Sequence, residues 1–331
     1  MGGSIDWSPV AAAMEEGRSF LVTSHVNPEG DAIGSEMALV RFLRQRGKTV
    51  RIVNPSPTPE NCRFLDPEGE IIVYDPSREE AVLRGVDTVF VLDLSSWDQL
   101  GDFAEPLRLR GPRRVCIDHH RGPDEDIAEV LIRDTSAAAA GLLVYEMIRE
   151  LGGDFDAAMV EALYATIIID TGSFHFSNTD ARALRAAADL VERGARPDRI
   201  YRYAFEDRRW ASAKLLAPVL STLDRTGDGR IAWIHVTREM IKKANGRYED
   251  VEGFIEIPRG VRGVEVCAFF KEHDPETIRI SLRSNGDVDL HRFAQSHGGG
   301  GHSKAAGITF QGSLEEAIRG IVSGLEALVG G

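Results

Sequence analysis

The chain has 331 residues, of which 43% are hydrophobic and 27% charged, so it is long enough for two globular domains, each with its own core. Its formal net charge of −13 argues against a general nucleic-acid coat protein or a binder of anionic membranes, because both need a net basic surface. Short nucleotide substrates are not excluded, since a few local basic side chains and bound cations can hold them.

The cysteine pattern and the absence of targeting signals indicate the compartment. Cys62, Cys116 and Cys267 are far apart and form no CxxC pair, which argues against a disulfide framework or a structural zinc site. The N-terminus lacks the basic-then-apolar pattern of a signal peptide, and no apolar run approaches the roughly 20 residues that span a bilayer. We therefore expect a cytoplasmic protein without a membrane partner.

Strand-like and helix-like patterns alternate in the first half of the chain. Short runs rich in β-branched residues predict strands at Phe20–Ser24, Thr49–Val53, Ile71–Tyr74, Thr88–Leu92 and Arg114–Ile117. Helical spacing of apolar residues predicts helices at Ala32–Arg46, Ala137–Leu151 and Ala157–Ile169. This alternation predicts an α/β domain with a doubly wound, mostly parallel sheet covered by helices on both faces.

The pattern changes after about residue 195. A charged helical stretch at Arg182–Arg202 and a helix at Trp210–Leu223 lead to a turn at Thr226–Gly229. Beyond the turn, the sequence predicts strands and a closing helix at Ile231–Val236, Val264–Phe270, Thr277–Leu282 and Leu314–Leu328. We predict a first domain at 1–195, a helical connector at 196–226 and a smaller C-terminal α/β domain at 227–331.

Acidic and imidazole side chains follow several of these apolar segments. The first predicted strand leads into His25–Asp31, the fourth into Asp93, and the fifth into Asp118-His119-His120. A further acid, Asp170, follows an apolar helical run. Because ligands bind at the carboxyl ends of strands in open parallel sheets, we expect these segments to converge.

The types of these residues indicate a metal site for phosphoryl chemistry. Carboxylates and imidazoles without thiolates suit Mn²⁺ and related divalent ions, and a carboxylate shared by two ions is typical of two-metal phosphoryl hydrolysis. Each residue also has a structural interpretation: Asp93 as a cap or turn residue, the His119-His120 pair as a surface feature, and Asp31 as the N-cap of the following helix. Four such segments together favour the metal site.

A glycine-rich segment in the second half is a candidate anion site. Four consecutive glycines, Gly298–Gly301, allow backbone N–H groups to approach an anion, and a helix starting after Gly301 would add positive potential. The candidate substrate-binding residues are Arg283, Gly299, Gly300, Gly301, His302 and Lys304. A flexible loop and a solvated strand end are the alternative interpretations, and the segment is not a Walker loop because no GK[ST] follows.

Taken in order, these segments resemble the motifs of the DHH phosphoesterases with their associated C-terminal domain, over about residues 15–325. The matching segments are His25–Ser35, Asp93, Asp118-His119-His120, Asp170, and Gly299–His302 with Ala305–Gly307. The length and the His-x-Asn-Pro start of the first motif resemble the branch of nanoRNases and pAp phosphatases.

The resemblance implies two Mn²⁺ ions, with Mg²⁺ or Co²⁺ as substitutes, in a cleft between two domains. It implies that His25, Glu29 and Asp93 hold one ion, and that Asp31, Asp93, His119 and Asp170 hold the other. It also implies catalytic support from Asp118 and His120, with His120 near the scissile phosphate, and a grip on the distal phosphate by the glycine segment, His302 and Arg283.

One residue departs from the family pattern. Glu29 stands where the family usually has Asp, so the longer side chain could ligate from a retracted loop, reach the ion through water, or weaken the first metal site.

The expected function is the two-metal hydrolysis of short RNA oligomers, linear dinucleotides and 3′-phosphoadenosine 5′-phosphate, by an enzyme that could form a homodimer. The alternatives are a single-strand exonuclease on longer strands, a cyclic-dinucleotide phosphodiesterase, and a non-catalytic nucleotide-sensing module. The preferred nucleotide and the direction of cleavage stay open.

Overall fold

The computed structural model describes residues 5–109, 111–122, 124–285, 288–301 and 303–330. The chain divides into two compact units, residues 1–207 and residues 208–331. The division falls inside the segment 196–226 that the sequence analysis assigned to a connector. His302, a candidate substrate-binding residue, lies outside the described residues.

The first unit contains a six-stranded sheet in which all strands run parallel, in the order β3-β2-β1-β4-β5-β6. Its strands are β1 Ser19–Thr23, β2 Thr49–Asn54, β3 Ile71–Val73, β4 Thr88–Leu92, β5 Arg113–Asp118 and β6 Val130–Arg133. The chain moves outward from β1 to β3 and then returns to place β4 beside β1. Such a reversal creates a crevice at the carboxyl ends of the two central strands, where ligands bind in this class of sheet.

Helices cover both faces of this sheet, as predicted. Alternate side chains of β1 enter different cores: Phe20 and Val22 pack on one face and Leu21 on the other. The helices of this unit are α1 Ser8–Glu16, α2 Gly30–Gln45, α3 Glu79–Leu83, α4 Ala104–Leu109, α5 Ala140–Glu150, α6 Ala157–Asp170, α7 Ala181–Glu192 and α8 Pro197–Tyr201.

The second unit has a mixed six-stranded sheet in the order β11-β12-β10-β9-β8-β7, in which only the β8–β9 pair is parallel among the described strands. Its strands are β7 Asp224–Arg225, β8 Ile231–Val236, β9 Val266–Asp274, β10 Thr277–Ser284, β11 Gly300–Gly301 and β12 Ala305–Gln311. Its helices are α9 Trp210–Leu220, α10 Arg238–Lys243, α11 Glu256–Arg259, α12 Leu290–Ser296 and α13 Leu314–Gly330.

One local prediction, the start of a helix, is wrong. The helix predicted from Ala137 begins only at Ala140, with Ala139 as its extended N-cap residue. The helix considered after Gly301 is not found in the described residues, since Gly300–Gly301 and Ala305–Gln311 are strands. No helix in the described residues is long and apolar enough to cross a membrane.

Candidate metal centre

The reversal between β1 and β4 brings the acidic and imidazole segments of the first unit together. His25 lies two residues beyond β1, Asp93 directly follows β4, and Asp118 is the last residue of β5. Asp170 differs from the others because it ends helix α6 rather than following a strand. The side chains of the candidate site therefore come from the ends of three strands and from the end of one helix.

Asp93 lies at the middle of this group and is 4% exposed. Its Oδ2 lies 3.6 Å from Nε2 of His25, and its Oδ1 lies 3.4 Å from Nε2 of His119 and 3.5 Å from Nδ1 of His120. The backbone of Asp93 has φ +59°, a conformation that non-glycine residues adopt rarely and mostly where the surroundings enforce it. The two oxygens of this carboxylate thus point to different imidazoles.

His119 is the second point of convergence. Its Nε2 lies 3.6 Å from Oδ2 of Asp31 and 3.6 Å from Oδ2 of Asp170. His119 belongs to two groups of possible metal ligands. One group is Asp93, His119 and His120, and the other is Asp31, His119 and Asp170; within each group the ligand atoms lie within 4.8 Å of one another.

Backbone carbonyls fix the orientation of two imidazoles. Nδ1 of His25 lies 2.9 Å from the carbonyl oxygen of Val26, and Nδ1 of His119 lies 3.1 Å from that of Ala137. A ring that donates its Nδ1–H to a carbonyl presents Nε2 as a lone pair, which is the common arrangement for a metal-binding histidine. Ala137 supplies this carbonyl because the chain is not yet helical there.

Asp31 caps a helix, but not the one that the sequence suggested. Its carboxylate accepts hydrogen bonds from the backbone N–H groups of Ala140 at 2.6 Å and Gly141 at 2.9 Å, which open helix α5. Helix α2 begins at Gly30, with Glu29 as its N-cap residue. The N-terminus of α5 therefore helps to hold a carboxylate that is 2% exposed.

Asp118 is fully buried and orients His120. Its Oδ1 accepts from the backbone N–H of His120 at 3.0 Å and lies 2.9 Å from Nδ1 of the same residue. Its Oδ2 accepts from Nε of Arg133 at 3.3 Å, and this guanidinium also donates to the carbonyl oxygens of Gly122 and Asp124. Arg133 was not among the predicted site residues, because β6, the strand that it ends, is only four residues long and was not predicted.

A second buried chain of hydrogen bonds, also missed, lies behind His25. Asn54 accepts from the backbone N–H of Ser24 at 3.1 Å and donates to Glu36 at 2.9 Å. Glu36 is fully buried, and burial raises the pKa of its carboxyl to about 8. These contacts fix the backbone directly before His25.

The carboxylates of the site repel one another. Burial, and then the Asp93 carboxylate, raise the pKa of Asp31 to about 7, and burial and Asp31 raise that of Asp170 well above its usual range. Burial lowers the pKa of His119, but Asp93 and Asp31 outweigh it and raise that pKa to about 10. Burial opposes ionisation of Asp93, yet the neighbouring imidazoles of His119 and His25 leave its pKa below the usual range. Several buried carboxylates this close together are stabilised by positive charge, which protons or bound cations can supply.

The residues fit divalent cations. Oδ1 of Asp93 and Nε2 of His119 are buried and lack a hydrogen-bond partner among the described residues, although buried polar atoms are normally paired. Both atoms are metal-ligand types and aim into the same cluster. The groups contain oxygen and imidazole nitrogen but no thiolate, the donor set of Mn²⁺, Mg²⁺ and similar ions.

Glu29 lies at the edge of this cluster, close enough for its charge to help raise the pKa of His25 and of Asp170. Its side chain is exposed, and it belongs to neither of the two groups of possible ligand atoms in the described chain.

The candidate substrate-binding residues that the structure describes in the second unit lie near one another. Arg283 is directly opposite Ala305 in the β10–β12 register, one residue after Lys304. The glycine segment forms the short strand β11 beside β12, where Gly300 is opposite Gly307. These residues share one end of the second sheet.

Backbone packing explains most of the glycines. A Cβ at Gly299 would lie 2.1 Å from the carbonyl oxygen of Gly307, and a Cβ at Gly301 would lie 2.5 Å from that of Ala305. Gly298 has φ +72°. Gly300 has neither constraint within this run: a Cβ there would meet nothing within 4 Å, and the residue is exposed.

Comparison with known proteins agrees with both units. The DHH family, N-terminal domain, matches residues 19–169, and the DHHA1 domain matches residues 234–330. The bifunctional oligoribonuclease and PAP phosphatase NrnA of Thermus thermophilus is 32% identical over 316 residues, 93% of this chain and 89% of that protein. The protein of the same name from Bacillus subtilis is 27% identical over 314 residues, 94% of each chain.

A solved structure has the same fold over nearly the whole chain. An exopolyphosphatase-related protein from Bacteroides fragilis superposes with a TM-score of 0.91 at 29% identity, covering 96% of this chain and 95% of that one. The shared domains, the extent of the similarity and the convergence of the motifs at one crevice lead to one assignment: the chain belongs to the DHH family and carries a DHHA1 domain.

Proposed function

We propose that this protein is a metal-dependent phosphoesterase that releases mononucleotides from short oligoribonucleotides and linear dinucleotides, and AMP from 3′-phosphoadenosine 5′-phosphate (PAP). The observation that supports this most is the meeting of Asp93 with three imidazoles at 3.4–3.6 Å. The names of the Thermus and Bacillus relatives support the substrate class. The three cysteines are free and buried, which fits the reducing cytoplasm that we propose as its location.

The proposed metal ligands form two sets that share Asp93. The first set is His25, Glu29 and Asp93, and the second is Asp31, Asp93, His119 and Asp170. Within the first set, Glu29 would need its exposed side chain to turn inward. A pair of Mn²⁺ ions, or Mg²⁺ or Co²⁺ in their place, would polarise the phosphoryl oxygens and lower the pKa of an attacking water.

The other residues bind and orient the substrate in this proposal. Asp118, which Arg133 holds in turn, orients His120 through its Nδ1 and so directs the imidazole towards the scissile phosphate. Arg283, Lys304, His302 and the backbone of Gly299–Gly301 bind the distal phosphate or nucleotide. A homodimer also stays a prediction, which the mass of the protein in solution would test.

The test is hydrolysis of a 5′-phosphorylated diribonucleotide and of PAP in the presence of Mn²⁺. We expect wild type to release mononucleotide, and Asp93→Ala to lose at least about 100-fold in kcat, because both proposed ion sites lose a ligand. Asp154→Ala is the matched control, since Asp154 is an exposed loop residue of the same unit. The proposal fails if wild type releases nothing, or if Asp93→Ala is as active as the control.

A further inference from the structure

On one face of the second sheet, the part formed by β10 and β12 carries cationic and small side chains, whereas Cys267 and Phe269 of the neighbouring strand β9 belong to an apolar core on the same face. Along β10, Ile278, Ile280 and Leu282 are buried in the apolar core, so the intervening residues lie on the other face. Small residues flank them on β12, where Gly307 and Thr309 are exposed. We call this surface the open face; its residues are Lys271, Arg279, Ser281, Arg283, Gly307 and Thr309.

Two cations of the open face are direct neighbours. Lys271 of β9 lies opposite Arg279 of β10 in the strand register. Like charges directly opposite each other destabilise a sheet. Neither side chain takes part in an ion pair with the described residues, and Arg279 is exposed. Stability alone therefore does not account for this pair, whereas an anion bound between the two cations would.

Aromatic rings hold the two cations in place. Nζ of Lys271 lies 5.7 Å from the ring centroids of Tyr248 and Phe269, and Cζ of Arg279 lies 5.8 Å from that of Tyr248. Burial lowers the pKa of Lys271, Glu252 opposes this, and the guanidinium groups of Arg283 and Arg279 lower it further. The ammonium group is thus partly dehydrated in the free protein, which reduces the desolvation needed to bind an anion.

The charge of the chain is distributed unevenly. Residues 208–331 contain 17 Lys and Arg and 16 Asp and Glu, a net charge of +1, whereas the other 207 residues carry −14. The overall acidity thus belongs to the first unit. It does not oppose the binding of a polyanion on the second.

We propose that Lys271 and Arg279 form a second phosphate-binding subsite for single-stranded oligoribonucleotides on the open face. The subsite lies about 13 Å along β10 from Arg283, four residues away. This proposal rests on the proposed function, in which Arg283 binds a substrate phosphate. A chain of three or more nucleotides could contact both positions across the small residues Ser281 and Gly307, whereas PAP, with one nucleoside, is too short to do so.

The test compares a long and a short substrate in the double variant Lys271→Gln, Arg279→Gln. We expect KM for a 5′-phosphorylated pentaribonucleotide to rise about tenfold, with a salt dependence weaker by about 1 in the log–log slope. The KM change for PAP should be several-fold smaller. Arg319→Gln is the control, because it removes one exposed charge from α13 in the same unit; it should alter neither KM.

Binding of a fluorescent pentaribonucleotide, measured by anisotropy, needs no turnover and separates this proposal from the proposed function. Weaker binding by the double variant supports the subsite even if wild type hydrolyses no RNA, a result that would overturn only the proposed function. Unchanged binding, or equal KM changes for PAP and the pentamer, would overturn the subsite. The thermal midpoint of the double variant should stay within about 3 °C of wild type, because the loss of the cation–π contacts is offset by the loss of a like-charge pair. A much lower midpoint with weaker binding would mean that the residues act structurally.

Discussion

At the residue scale, the most informative contact is the one between Asp118 and Arg133. A fully buried carboxylate needs compensation, because burial without a partner is costly. His120 supplies part of it, and Arg133, whose side chain is 15% exposed, supplies the rest from the end of β6. The guanidinium also joins β6 to the loop after His120 through two backbone carbonyls. Arg133 therefore positions the imidazole through Asp118.

Replacing this guanidinium should lower both stability and turnover. We expect Arg133→Met to cost about 3 kcal/mol in the free energy of unfolding, because it leaves a buried carboxylate with one partner fewer. We expect kcat on a diribonucleotide to fall about tenfold or more, with KM changed less, because His120 loses its fixed orientation. Urea unfolding and steady-state kinetics measure the two effects.

Arg133→Lys separates positioning from charge alone. It keeps a positive charge near Asp118 but loses the planar fork that also reaches Gly122 and Asp124. Its stability should recover more than its kcat. Wild-type values for Arg133→Met in both measurements would show that the contact has no such role.

Most of the candidate metal-site residues found from the sequence are acids and histidines whose place after a predicted strand can be seen without knowledge of their contacts. Asp93 and His119 stand after strand-like runs, so strand order alone could bring them together. Arg133 and Asn54 gain their importance from hydrogen bonds to buried partners, and such partners have no fixed spacing in the chain. The exposure of Glu29 likewise depends on the angle at which the loop enters α2.

At the element scale, close helix packing brings α2, α5 and α6 into position. A Cβ at Gly34 of α2 would lie 2.7 Å from the carbonyl oxygen of Ala162 in α6, and a Cβ at Gly141 of α5 would lie 2.1 Å from Oγ1 of Thr166. Both glycines thus allow the backbones to approach α6. Because α2 carries Asp31 and α6 ends at Asp170, this packing sets the distance between two proposed ligands.

Adding one methyl group at this contact should destabilise the first unit. We expect Gly34→Ala to lower the free energy of unfolding by about 1–3 kcal/mol, because a backbone carbonyl blocks the new Cβ. Gly320→Ala is the matched control: Gly320 lies in α13 with nothing within 4 Å of its Cβ position, so alanine should stabilise that helix by up to about 1 kcal/mol. Denaturant unfolding of both variants tests the prediction, and equal effects in both would contradict it.

Strands were predicted correctly where the run of apolar residues was long, and they were missed where that run was short or interrupted by small residues. β4 and β8 begin and end where the sequence analysis placed them. β6 and β12 were missed because β6 has only four residues and β12 begins with Ala305-Ala306-Gly307, residue types with a weak preference for strands. The alanine run before α5 looked helical by propensity, but Ala139 is extended as the N-cap residue.

At the scale of the whole molecule, the two units have separate cores. Each of the four clusters of buried apolar residues lies entirely within one unit. The proposed metal ligands, from His25 to Asp170, all belong to the first unit, which has a net charge of −14 against +1 for the second. Metal binding should therefore act on the stability of one unit and leave the other unchanged.

Calorimetry with and without Mn²⁺ tests this separation. We expect two unfolding transitions, one for each unit. Mn²⁺ at a hundred times its dissociation constant should raise the free energy of unfolding of only one of them, by about 2.7 kcal/mol. Asp93→Ala should remove most of this shift because it takes a ligand from both proposed ion sites, whereas the double variant at Lys271 and Arg279 should retain it in full. A shift of both transitions, or one that survives in Asp93→Ala, would mean that the ions stabilise the protein somewhere other than the Asp93 cluster.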